Sequence, residues 1–172
     1  MRKTLIVVDM QNDFVYGPLG TDEARAIVPN VKKKIEEYRE RGDRVMFTTD
    51  GHGSNYLETH EGKYLPVKHC ILGTDGCDVI SKINRLAGDV SIPKNTFATL
   101  HWACIPHVCG NDIELVGVCT DICVVSNALV LRSLYPNLDI TVDASCCAGT
   151  TPEKHKAALE VMKSCHIDVI GE

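Results

Sequence analysis

Short β-branched apolar runs alternate with longer segments of helical period, and this alternation limits the possible folds more than any other feature of the chain. Thr4-Leu5-Ile6-Val7-Val8 is a continuous apolar run, as expected of a strand covered on both faces. Ile27, Val31, Ile35 and Tyr38 then recur at helical spacing between Lys32, Lys33, Glu36, Glu37 and Arg39, and Gly42 offers a stop. Val45-Met46-Phe47-Thr48 reads as a second strand and Val90-Ser91-Ile92 as a third. Between them, residues 50–77 form a long Gly- and His-rich connection, of a length more typical of functional loops than of simple turns. Val79, Ile80, Ile83 and Leu86 predict a short helix. Residues 95–112 show no clean period and allow at most a short helix.

The pattern repeats in the second half. Ile113 to Val118 predicts a fourth strand, followed by a helix over 121–134 with Thr120 or Asp121 as its N-cap. Leu138 to Val142 predicts a fifth strand. Thr151-Pro152-Glu153 opens a last helix with a cap, a proline and an acid in the right order, and Ile167 to Ile170 predicts a final strand. Strand–helix alternation of this kind implies a single α/β domain over residues 1–172. It should be a three-layer, Rossmann-like α/β/α unit with a mostly parallel sheet of about six strands.

Composition narrows the partners. Eighteen basic against 23 acidic residues give a net charge of −5, and no Lys/Arg-rich run is present, which argues against nucleic acid. No apolar stretch approaches the ~20 residues of a membrane span. The amino-terminal apolar run is too short for a signal-peptide core, so a soluble, cytoplasmic protein is expected. The nine cysteines are then mostly small buried hydrophobes, with one or two left for chemistry.

In parallel sheets of this type ligands bind beyond the carboxyl ends of the strands. Asp9, Lys94 and Cys123 each follow such an end and should therefore share one edge. At the start of a helix, Cys123 should have a lowered thiol pKa, with backbone N–H groups nearby for an oxyanion. A carboxylate to take its proton and an ammonium to hold the charges would complete a set suited to acyl transfer. Separately, Asp50, His52, His60, Glu61 and His69 in the long connection offer oxygen and imidazole donors suited to zinc, manganese or iron.

Three segments carry a more specific signal: Leu5 to Phe14 (LIVVDMQNDF), Pro93 to Phe97 (PKNTF) and Gly117 to Val124 (GVCTDICV). In this order they resemble the signature segments of the isochorismatase-like cysteine hydrolases, a family that includes the nicotinamidases. The resemblance implies Asp9 as base, Lys94 as supporting cation and Cys123 as nucleophile. It also implies a cis peptide before Cys119, with the N–H groups of Cys119 and Cys123 forming the oxyanion hole. The metal loop resembles that of the nicotinamidase branch, implying Asp50, His52 and His69 as ligands and Glu61, in preference to His60, as the middle one. Phe14 matches a pocket aromatic, whereas Leu65 stands where nicotinamidases often carry a stacking Trp. The implied activity is hydrolysis of nicotinamide to nicotinate and ammonia through a thioester, with a divalent metal, zinc first, and a homo-oligomeric assembly. The alternatives are hydrolysis of another small amide, ureide or carbamoyl compound, or a non-catalytic binding protein of the same fold. His101, Cys104, His107 and Cys109 have zinc-like spacing but sit among apolar residues, and are read as packing.

Overall fold

The computed structural model describes residues 3–105 and 112–172. Six strands form one sheet in the order β3-β2-β1-β4-β5-β6, and every pairing between neighbouring strands is parallel. They are β1 (Lys3–Val8), β2 (Arg44–Asp50), β3 (Val90–Lys94), β4 (Asp112–Val118), β5 (Ile140–Ala148) and β6 (Asp168–Ile170). The strand order reverses between β1 and β4, which makes a crevice at their carboxyl ends.

Both faces of the sheet are covered, as the continuous apolar runs require. Alternate residues of β1 point opposite ways: Leu5 and Val7 join one core, Ile6 and Val8 the other. The first core is closed by α1 (Asn12–Val15), α2 (Asp22–Ala26) and α3 (Val28–Glu40). Helix α3 buries Val28, Val31, Ile35 and Tyr38, and Gly42, at φ 71°, follows its end. The second core packs under α5 (Val125–Leu134) and α6 (Pro152–Ser164), with Leu131, Leu159 and Met162 fully covered. Thr151 caps α6 by accepting from Lys154 N–H, as its sequence predicts.

Several local expectations need correction. No α-helix forms over 79–86; only a 3₁₀ turn, Ser81–Ile83, is present, ended by Asn84 at φ 52°. Val79 instead bridges to Gln11, and Ile80 N–H donates to Met10 O, so tertiary pairing overrides the helical spacing. The helix after β4 starts as a π-turn, Thr120–Val124, with no side-chain N-cap. Asp121 is occupied elsewhere, accepting from Thr150 N–H and hydroxyl at 2.7 and 2.6 Å. Strand β5 runs to Ala148, well beyond the predicted Val142, and takes in Cys146 and Cys147. The long connection holds a short helix α4 (His60–Tyr64) between 3₁₀ turns. No described helix is long and apolar enough to cross a membrane.

Candidate active site

Asp9, Lys94 and Cys123 meet at the crevice. Asp9 takes the left-handed conformation, φ 49°, where β1 ends and the chain turns away from the sheet, a backbone rarely adopted without local constraint. Thr48 on β2 supplies part of that constraint. Its hydroxyl donates to Asp9 Oδ1 at 2.6 Å and accepts from Asp9 N–H at 3.3 Å. Lys94 is the last residue of β3. Its Nζ lies 2.6 Å from Asp9 Oδ2, 3.6 Å from Cys123 Sγ and 3.5 Å from Asp50 Oδ1. Cys123 lies within the π-turn that follows β4. All three are buried, with relative exposures of 0% for Asp9, 7% for Lys94 and 6% for Cys123.

Gly117, just upstream in β4, has φ 121°, and a Cβ there would collide with the Val8 carbonyl. The close approach of β4 to β1 at the crevice therefore requires glycine. The peptide between Val118 and Cys119 is cis, as the resemblance implies.

Burial corrects one expectation. It pushes the Cys123 thiol well above its ordinary pKa, and the negative charge of Asp9 adds to this, while Lys94 opposes it. The helix start therefore does not make a resting thiolate, because desolvation of the charged sulfur is the larger effect. Burial also raises Asp9, against the opposing charge of Lys94. A neutral thiol thus shares the Lys94 ammonium with a carboxylate of raised basicity, an arrangement suited to proton transfer on demand. Burial would lower Lys94, but Asp9, Cys123 and Asp50 together raise it, keeping the ammonium charged.

The second cluster adjoins the first. Asp50, His52 and His69 are buried, and each offers one ligand atom within 4.8 Å of the others. His52 Nε2 is 2.8 Å and His69 Nε2 3.6 Å from Asp50 Oδ2. Glu61 Oε1 approaches the same two nitrogens at 3.8 and 3.6 Å. His60, by contrast, is exposed and lies against Tyr64. Among the two sequence candidates for the middle position, Glu61 is the one that faces the cluster. His69 Nδ1–H donates to Val67 O at 2.9 Å, so Nε2 is the ring nitrogen turned toward Asp50 and the one that could bind an ion. One carboxylate, two imidazoles and a nearby second carboxylate form a donor set that fits zinc or a similar ion. For Asp50, burial would raise the pKa, but hydrogen bonds with His52 and His69 and the charge of Lys94 outweigh it and hold it well below the usual range.

The Phe14 ring is buried 5.4 Å from the His69 ring. Leu65 is half-buried at the end of α4, and its carbonyl accepts from Tyr56 OH. Cys119 is half-buried at the start of the π-turn that holds Cys123. His101 and Cys104 are exposed, whereas His107 and Cys109 lie outside the described residues. None of the eight described cysteines is in a disulfide.

Four supporting residues were not singled out from sequence. Tyr56 packs edge-on against both His52 and His69. Asn127 accepts from Thr99 N–H and Trp102 Nε1–H and donates to Phe97 O and Cys123 O. His155 Nδ1 lies 2.8 Å from the Thr120 hydroxyl. Gln11 binds the backbone of Asp50. Only Gln11 had a visible signal, its place in the first signature segment.

Known proteins resemble this chain over nearly its whole length. The chain is 26% identical to a nicotinamidase of Schizosaccharomyces pombe, over 98% of this chain and 92% of that one. It is 30% identical to a probable inactive nicotinamidase of Arabidopsis thaliana, over 93% and 87% respectively. The structure of a Pyrococcus horikoshii pyrazinamidase in complex with zinc superposes with a TM-score of 0.86 at 28% identity, covering all of both chains. The isochorismatase domain model matches residues 3–171, and the chain therefore belongs to the isochorismatase family.

Proposed function

We propose that the protein is a metal-containing cysteine amidohydrolase that converts nicotinamide and water to nicotinate and ammonia. The observation that carries this reading is the position of Lys94 Nζ, which touches Asp9, Cys123 and Asp50 and so joins a nucleophile–base pair to a metal-type cluster. The similarity to nicotinamidases and to a zinc-bound pyrazinamidase supports it.

In this reading Asp9 takes the thiol proton as Cys123 Sγ attacks the amide carbonyl carbon. Lys94 keeps its positive charge and stabilises the anionic pair through the step. The N–H groups of Cys119 and Cys123 receive the carbonyl oxygen as it becomes an oxyanion. Asp9 then returns the proton to the amide nitrogen, and ammonia leaves a thioester on Cys123. Asp9 next deprotonates a water that attacks the thioester, and the acid departs as the thiol regains its proton. Asp50, His52, His69 and Glu61 would hold a divalent ion, zinc first with manganese or iron also suited. When bound, that ion would supply a Lewis-acid contact for the pyridine nitrogen and so orient the carboxamide. Phe14 and Leu65 would form part of the ring pocket. The same proposal places the enzyme in the cytoplasm as a homo-oligomer.

The half-buried Leu65 offers no aromatic face, and this favours testing a wider substrate range. Ammonia release from nicotinamide should be compared with release from a panel of small amides, ureides and carbamoyl compounds. Fastest turnover of nicotinamide supports the proposal. Faster turnover of another compound transfers the same chemistry to that substrate, and no turnover of any compound by metal-loaded protein favours a binding protein.

A further inference from the structure

We propose that Gln11 is a positioning residue for the metal cluster, acting through the backbone of Asp50; this rests on the metal-site reading given above. Strand β1 leaves the sheet after Val8, which pairs with Thr48, while β2 continues to Asp50. On its other side Asp50 pairs with Lys94 of β3. The Asp50 N–H and C=O that face the departed β1 are inside the protein, where an unpaired backbone group is costly.

The Gln11 carboxamide takes both. Asp50 N–H donates to Gln11 Oε1 at 2.7 Å, and Gln11 Nε2 donates to Asp50 O at 2.8 Å. A primary amide carries the same donor–acceptor pair as a peptide, so the side chain stands in for one more residue of β1. The second Nε2 hydrogen goes to Cys77 O at 2.7 Å. Gln11 has no exposed surface. Its main chain is fixed as well, through Gln11 N–H to Asp9 O at 2.7 Å and the bridge to Val79.

The placement has a chemical consequence. The Asp50 carboxylate is shared, Oδ2 facing His52 and His69 and Oδ1 facing Lys94. Its aim is set by a backbone that Gln11 holds at both polar groups. A single residue, Met10, separates Gln11 from Asp9, so one short segment anchors both the proposed base and the proposed metal ligand. Residues that orient a ligand in this way typically change metal affinity by about 10–100-fold when altered.

The test is zinc affinity, measured by competition with a chromophoric chelator on purified, metal-stripped protein, with thermal unfolding in parallel. Gln11→Glu keeps the length and the acceptor for Asp50 N–H but loses both donors. Gln11→Met keeps the length and loses all polar contacts. Both should fold and bind zinc at least tenfold more weakly than the parent. Leu131→Ala, a core truncation in α5, should lower Tm without this loss. Unchanged affinity in the folded Gln11 variants would overturn the proposal while leaving the metal site intact. Affinity lost equally in Leu131→Ala would overturn it too, since the effect would then follow stability. Failure of both Gln11 variants to fold would likewise overturn it, by making Gln11 a requirement of the fold. A parent protein that binds no zinc removes the metal-site reading itself, and this proposal with it.

Discussion

Asp50 and Lys94 face each other across the last paired position of β2 and β3, with Asp50 Oδ1 3.5 Å from Lys94 Nζ. The contact makes one continuous polar network of the imidazole cluster and the thiol. Changes at the cluster should therefore register in turnover as well as in metal content. His52→Ala is expected to lower both together, measured by elemental analysis and ammonia release. His60→Ala should alter neither, since that ring is exposed beside Tyr64. Metal retained after Glu61→Ala but lost after His60→Ala would refute the choice of Glu61.

Lys94 is the buried cation between two carboxylates, so its removal leaves Asp9 and Asp50 facing each other without compensation. Breaking a buried ion pair on one side typically costs about 3–5 kcal/mol. Lys94→Met should lose stability of that order in chemical denaturation and lose at least about a hundredfold in kcat, the usual scale for removing an electrostatic stabiliser. Normal turnover in a folded Lys94→Met protein would be incompatible with the proposed chemistry.

The resting thiol is neutral and buried, which makes it a poor target for a small electrophile. Iodoacetamide at neutral pH should accordingly label exposed Cys104 before Cys123 in protein without substrate. Mass mapping of the first modified peptide decides this. Cys123→Ala should abolish turnover and leave Tm within a few degrees of the parent, the range expected for a loss of about 1 kcal/mol or less.

Acid sensitivity should come in part from a network remote from the crevice. Lys34 on α3 reaches Glu114 on β4 at 2.8 Å and Asp143 on β5 at 2.7 Å, and Tyr38 OH donates to Glu114 at 2.6 Å. Burial would raise Asp143, but hydrogen bonds from Lys34 and Ser145 outweigh it and lower its pKa. A depressed folded pKa means stability that is full above the unfolded value and lost as pH falls through the folded one. With an unfolded value of roughly 3.9, Tm should be flat near neutrality and fall below about pH 4. Asp143→Asn should start lower and lose less on acidification, as followed by thermal melts across pH. An identical acid slope in parent and variant would exclude this contribution.

Much of the fold is legible in the amino-acid sequence. Continuous apolar runs such as Thr4 to Val8 place strands without regard to neighbours, and α3 and α6 carry their own periodicity and caps. The errors fall where tertiary pairing decides. Residues 79–86 have helical spacing, yet Ile80 N–H is drawn to Met10 O. Asp121 looks like an N-cap, yet Thr150 claims its carboxylate. The site followed the same division. Asp9, Lys94 and Cys123 converge because parallel strands bring successive carboxyl ends to one edge. Asn127 reaches back 25 to 30 residues to Trp102, Thr99 and Phe97, His155 reaches 35 to Thr120, and Tyr56 acts through ring packing, so no local pattern marks them. The raised thiol pKa was also illegible, because burial is a property of the assembled core and not of a helix start.

The fastening of the π-turn that holds Cys123 divides labour along the chain. Every side chain assigned to chemistry lies at or before Cys123, yet Thr120 and Asp121 are held by His155 and Thr150, beyond β5. In the proposed mechanism the carboxyl-terminal portion supplies no reacting group, and it still tethers the segment that carries Cys123. During synthesis the reactive set is complete in sequence long before it is complete in space. A chain ending at Ala148 would possess the full chemical inventory with nothing on the α6 side to keep the cysteine segment in place.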